Sequence, residues 1–125
     1  MARRQCEQLA TMYKGWIAAV GANPDTPLEE LRTMFKHWGD VTAEPGGIDS
    51  ETDTGGRPAL WAAPKGCAQD RVLLCSRGGG YVCGSMCTHR KVYGHLAKAI
   101  GCQALIVHYG RAPEIVHPGL RWTIW

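Results

Sequence analysis

Apolar residues in the first third of the chain fall at helical spacing. Cys6, Leu9, Tyr13, Trp16 and Val20 recur at intervals of three and four, which describes one face of an amphipathic helix ended by Gly21 and Asn23-Pro24. A second helix is marked by Thr26 as its N-cap, Pro27 as its first helical residue and Glu29 as the acid of a capping box. Its stripe is Leu28, Leu31, Phe35 and Trp38, and Gly39 stops it. Aromatic stripes at this spacing read as packing surfaces before they read as a ligand lid.

The period changes after residue 40. Residues 40–47 read as a loop, and 48–54 as a polar edge strand. Gly55-Gly56 predicts a hairpin turn and 58–63 a second strand, broken by Pro64-Lys65-Gly66. Residues 71–76 (Arg-Val-Leu-Leu-Cys-Ser) are mostly apolar, so this third strand is expected to be buried on both faces. A glycine-rich run follows. Residues 88–100 then predict a helix with a buried face of Val92, Leu96, Ala99 and Ile100, closed by Gly101, and 104–107 predict a fourth buried strand. Strand, glycine loop, helix, strand is the order of a crossover that joins parallel neighbours. Residues 108–125 show no clear period.

A chain of 125 residues fits one small domain, and its apolar share of 45% and charged share of 20% are ordinary for a globular protein. The sixteen glycines cluster within 45–56 and 78–84 between apolar flanks, a sign of tight turns. The net charge of +3 is dispersed along the chain. With no basic stripe and no aromatic platform, a nucleic-acid partner is not expected. No segment approaches the ~20 apolar residues of a membrane span. Glu7, Gln8 and Lys14 interrupt the place where a signal peptide would carry its apolar core. Of the six cysteines, Cys75 lies in an apolar strand and Cys102 just past an apolar helix, so buried thiols in a reduced, cytoplasmic protein are expected.

The chemistry is concentrated in Arg77-Gly78-Gly79-Gly80-Tyr81, directly after the third strand. Glycines there let the backbone turn its N–H groups toward a ligand, and convergent N–H donors stabilise a developing oxyanion. Nucleotide readings fail on the residues that would touch phosphate. Gly79 and Gly84 have Walker spacing but Ser85-Met86 follows where Lys-Ser/Thr is needed, and Cys83 stands where a dinucleotide fingerprint needs its third glycine. Cys83, Cys87, His89 and His95 match no common zinc spacing, and nothing fixes a Cys–His catalytic pair, so neither a metal nor a cofactor is expected.

Residues 72–85 together with Thr88-His89-Arg90, the segment 96–114 and Pro118 resemble the hormone-sensitive-lipase-like α/β-hydrolases, also called bacterial family IV esterases. That family carries a His-Gly-Gly-Gly loop, a following Gly-Ser, and an Asp-Tyr-Arg-x-Ala-Pro-Glu segment. The likeness runs from about residue 28 to 118. It implies an incomplete α/β-hydrolase fold, with cap helices in residues 1–45 and a partial mixed sheet containing a parallel βαβ unit in 46–125. It implies oxyanion donors in the loop Gly78, Gly79 and Gly80, with the amides of Gly79 and Gly80 foremost and Gly78 shaping the turn. It further implies a supporting role for Arg77, Tyr81, Tyr109, Ala112, Pro113 and Glu114, and a small carboxylic ester as the family's substrate.

The departures are specific. Arg77 stands for the family's histidine, and a guanidinium can only donate hydrogen bonds. His108 stands for the aspartate and Gly110 for the arginine, so the family's bracing charge pair cannot form. Residues 119–125 resemble nothing in the family. No Gly-x-Ser-x-Gly occurs, and the serines are Ser50, Ser76 and Ser85. The expectation is a truncated ester hydrolase, from a shifted frame or decayed gene, that keeps the oxyanion loop and lacks nucleophile, acid and base. It is expected to be inactive alone. The alternative is a non-enzymatic remnant that binds a partner or ligand. Without the nucleophile strand beside it, the third strand becomes an exposed edge open to self-association.

Overall fold

The computed structural model describes residues 2–115. Pro118 and residues 119–125, read above as the end of the likeness and an unrelated tail, lie outside the described residues. Helix α1 (Ala2–Ala22) and helix α2 (Leu28–Phe35), with a 3-10 turn at Lys36–Gly39, precede a mixed sheet. The sheet contains β1 (Ile48–Asp53), β2 (Pro58–Ala63), β3 (Val72–Ser76) and β4 (Gln103–Val107), with α3 (Met86–Ile100) between the last two. Strand order is β1-β2-β4-β3. The first two pairings are antiparallel and β3–β4 is parallel, as the crossover pattern requires.

Turn chemistry sets the hairpin. Gly55 and Gly56 take φ of 73° and 84°, and Thr54 N–H donates to the Arg57 carbonyl at 2.8 Å, so the glycines occupy the two left-handed positions that a tight hairpin needs. Gly101 likewise ends α3 in the left-handed conformation. The start of α3 departs from expectation: Ser85 is its N-cap, and Thr88 completes a capping box through its own hydroxyl. The cap expected for α2 does not form. Pro27 is the N-cap, Thr26 Oγ1 donates to the Asn23 carbonyl, and Glu29 turns to Arg32 instead.

The core lies between the sheet and α3. Leu60, Ala62, Cys75, Ala97, Ala104 and Ile106 form it, with Leu73, Met86 and Tyr93 packed against them. Register puts Leu60, Ile106 and Cys75 in one row and Ala62, Ala104 and Leu73 in the next, all on the helix side. Cys75 and Cys102 are buried, and loss of hydration pushes the Cys75 thiol up to about 11.

Burial departs from expectation on α3, β3 and α1. The stripe Val92, Leu96, Ala99 and Ile100 on α3 faces outward, and the buried positions are Gly94 and Ala97. Small residues let the helix lie close to its neighbours. A Cβ at Gly94 would stand 2.6 Å from Pro45 Cγ. Strand β3 is not buried on both faces. Only Leu73 and Cys75 point to the helix, while Leu74 is 69% exposed and Val72 50%, because among the described residues nothing flanks β3 or covers the far face. The face expected on α1 is also only partly covered: Leu9 and Trp16 are half-buried, whereas Cys6, Tyr13 and Val20 are exposed. The aromatic stripes of α1 and α2 pack on each other, with Trp16 edge-on to Phe35 at 5.1 Å and to Trp38 at 6.2 Å between ring centroids. Among the described residues no helix is long and apolar enough to cross a membrane.

Candidate functional site

Strand β3 delivers the chain to Arg77, and the glycine loop turns back over the N-terminus of α3. Gly79 (φ 127°), Gly80 (φ 59°), Tyr81 (φ 65°) and Gly84 (φ 83°) carry the reversal. Gly78 has no such angle, so the turn expected of it is made by the residues that follow. The Gly79 carbonyl accepts from Val82 N–H at 3.2 Å and Cys83 N–H at 2.9 Å, which closes the loop on itself. Tyr81 holds a left-handed conformation that is costly for a side chain with a Cβ. Ala112 N–H fixes it by donating to its carbonyl at 2.9 Å, and its ring lies 6.3 Å from that of Tyr109.

Among the described residues the amides of Gly79 and Gly80 have no hydrogen-bond partner. The Gly78 amide does: it donates to His89 Nε2 at 3.2 Å. The three glycines are therefore unequal: among the described residues only the second and third have amides without a partner.

Arg77 is 3% exposed and braces the loop by donation alone. One terminal nitrogen donates to the Cys83 carbonyl at 2.6 Å and the other to the Tyr109 carbonyl at 3.0 Å. Tyr109 returns its hydroxyl to the Arg77 carbonyl, and its ring faces the guanidinium at 4.1 Å. No carboxylate pairs with Arg77 among the described residues, and burial pushes its pKa down. Arg77 Nε and His108 Nδ1 are buried without a hydrogen-bond partner there. Burial first, then Arg77 and Arg111, lower the pKa of His108. Ile115 takes the space beside Gly110, where an added Cβ would collide with the Ile115 side chain.

A bracing charge pair does exist, and it comes from a residue that motif reading missed. Arg32 of α2, 4% exposed, donates through Nε to the Val82 carbonyl at 2.9 Å. Its terminal nitrogens reach the Ala112 carbonyl at 2.8 Å, both Glu114 oxygens at 2.5 and 2.8 Å, and Glu29. Its hydrogen bond holds the Glu114 carboxyl at about 2, well below the usual range. One guanidinium thus ties α2, the glycine loop and the second motif together. Tyr109 meets Arg77, Ala112 bonds the Tyr81 carbonyl, Glu114 is held by Arg32, and Pro113 sits exposed among them. The signal for Arg32 was a lone arginine at the i+4 position of Leu28, inside an apolar stripe.

The cysteines and histidines weighed for zinc are dispersed. Cys83 is buried, Cys87 is exposed, and His95 Nε2 pairs with the Ala43 carbonyl at 2.9 Å. Among the described residues no three potential ligands gather as a metal site.

A partial mixed sheet with a parallel crossover, and a glycine loop leaving the parallel strand, define an α/β-hydrolase. Residues 73–120 match a family described as the alpha/beta hydrolase fold. A solved esterase of the bacterial hormone-sensitive lipase family is 30% identical at a TM-score of 0.79, over 96% of this chain and 39% of its own. An esterase/lipase from an uncultured bacterium is 28% identical at 0.67, over 79% of this chain and 33% of its own. A hyperthermophilic esterase from the archaeon Pyrobaculum calidifontis is 26% identical at 0.67, over 77% and 34%. No curated protein matches the chain. The chain has the α/β-hydrolase fold and is similar to esterases of the hormone-sensitive lipase family, and it spans about two fifths of the length of the first of these solved esterases.

Proposed function

We propose that this chain is the oxyanion-hole portion of a carboxylic ester hydrolase, and that its 125 residues by themselves do not turn over esters. The observation that carries the reading is the pair of unengaged amides at Gly79 and Gly80, immediately after a parallel strand. Residues 1–45 then serve as the start of a cap and the rest as partial core. The serines argue against a nucleophile within the chain. Ser85 Oγ accepts from Thr88 N–H as a helix cap, Ser50 and Ser76 are exposed on strands, and none pairs with a histidine among the described residues. An oxyanion hole with binding alone leaves roughly 10³-fold catalysis over water in the best-studied triads. Assayed with a chromogenic short-chain ester, the purified chain is expected to exceed the buffer rate by no more than about that residual factor, with no response to a serine-directed inhibitor. Turnover abolished by a serine-directed inhibitor would overturn the reading.

The edge of β3 favours a second, non-enzymatic reading in which this unit binds a partner through its sheet. The occupant we infer is a second copy of the chain, paired along β3, since Val72 and Leu74 stand exposed beside a backbone edge that is unpaired among the described residues. Sedimentation at rising concentration is expected to show self-association, weakened at least tenfold by Leu74→Lys. A monomer at all concentrations rejects the pairing.

A further inference from the structure

We propose that His89 is the positioning residue of the glycine loop, holding Gly78 through the lone pair of Nε2. The inference deepens the oxyanion reading above and rests on it for its functional meaning, but its geometry stands on different atoms.

The argument begins with one hydroxyl proton. Thr88 Oγ1 donates that proton to the Ser85 carbonyl at 2.8 Å and accepts from Ser85 N–H at 2.9 Å. It also lies 2.9 Å from His89 Nδ1. With its only proton committed, Oγ1 can only accept from the ring, so Nδ1 carries the hydrogen. Nε2 is then a bare acceptor, and the Gly78 N–H points at it from 3.2 Å. The capping box that starts α3 therefore also sets the tautomer that anchors the loop. The ring is held from other sides by stacking on Tyr93 at 5.9 Å and by the edge of Trp38, also at 5.9 Å. It lines a cavity of about 250 Å³ with Leu9, Val41 and Lys91 between α1, the 3-10 turn and α3, so solvent protons reach it from that side.

Anchoring Gly78 fixes where the backbone starts its reversal and so where the amides of Gly79 and Gly80 point. A proton added at Nε2 replaces the acceptor with a donor facing another N–H, and the anchor is lost. The charged and titratable groups around the ring act in one direction. Arg77 from the end of β3 opposes the imidazolium, Tyr93 is neutral near pH 7, and Lys91 across the cavity pairs with Glu44 at 3.4 Å. Burial first, offset by the Ser85 carbonyl and then reinforced by Arg77, pushes the His89 pKa below its ordinary 6.5. The sign follows: stability and loop order are full above 6.5 and are lost as pH falls through the folded value.

The test is nitrogen-resolved NMR on the intact chain. The ring is expected as the Nδ1–H tautomer at neutral pH. The Gly78 amide resonance should move with the same midpoint as the His89 ring, below 6.5, while His89→Gln, whose amide can still accept, holds that resonance flat across the range. An Nε2–H tautomer, a Gly78 amide indifferent to the ring's titration, or a Gly78 amide that still titrates in His89→Gln overturns the proposal. If that variant does not fold, the tautomer and the coincidence of midpoints in the unsubstituted chain decide alone. Titration with an alkylphosphonate separates the two readings. Co-titration of His89 and Gly78 with no shift at Gly79 or Gly80 keeps this inference and removes the oxyanion assignment.

Discussion

Arg32→Leu is expected to lower the melting temperature by on the order of 10 °C, the largest loss from any single side chain of the N-terminal helices. The guanidinium is buried, and apart from Glu29 on its own helix its contacts go to distant segments: Val82 in the loop, and Ala112 and Glu114 after β4. Leucine fills part of the volume and supplies no donor. The Val82 and Ala112 carbonyls lose a charge-assisted partner, and Glu114, being half exposed, returns to water. The carbonyl losses set the cost at about 2–4 kcal/mol. Arg32→Lys does not rescue, because one ammonium cannot span the positions that a planar fork reaches together. Thermal melts followed by circular dichroism measure the drop. The pH dependence gives an independent check. Glu114 is depressed from 4.5 to about 2 by Arg32, so wild-type stability is full above 4.5 and falls as pH drops toward 2. That acid limb should shrink in Arg32→Leu. An unchanged melt and an unchanged acid limb would mean that α2 does not clamp the loop.

How far the chain could be read in advance depends on whether the deciding interaction was local. Gly55-Gly56, Gly101 and the strand–loop–helix–strand order were legible because each is set by backbone conformation within a few residues. The loop and the second motif were legible as a resemblance; in the structure Tyr109 packs on Arg77 and Ala112 bonds Tyr81, whereas Glu114 bonds Arg32. Arg32 was not, since its partners at Val82 and Glu114 lie 50 and 82 positions away. The inward face of α3 was misread for a different reason. Periodicity gives weight to large apolar side chains, but this helix approaches the sheet and Pro45 through Gly94 and Ala97, where closeness matters more than size. Arg77 in place of histidine leaves the loop a brace that can only donate. Three carbonyl and ring contacts show that donation alone suffices when the acceptors are backbone carbonyls already in place.

The sharpest expectation concerns the glycines themselves. Gly79→Ala should cost more than about 4 kcal/mol and abolish the folded loop, Gly80→Ala about 1 kcal/mol, and Gly78→Ala almost nothing. Alanine keeps the amide N–H at each site, so the ranking reports conformation and not loss of a donor. At Gly79 the φ of 127° is a region that side chains with a Cβ rarely enter, and the added carbon would lie 2.6 Å from the Cys83 carbonyl carbon while colliding with its oxygen. Neither atom can retreat, because the Cys83 carbonyl accepts from Arg77 and the Cys83 amide donates to Gly79. At Gly80 the φ of 59° is left-handed but nothing stands within 4 Å, so only the backbone preference is lost. At Gly78 φ lies outside the positive region, and the nearest atom, His89 Nε2 at 3.4 Å, is at ordinary contact distance. Melting curves for the three variants, with protease cutting between residues 77 and 84 as the local readout, test the order. Equal losses at all three, or a mild loss at Gly79, would mean that the loop does not close on Cys83, and the free amides of Gly79 and Gly80 would then have no fixed direction in which to meet a negative charge.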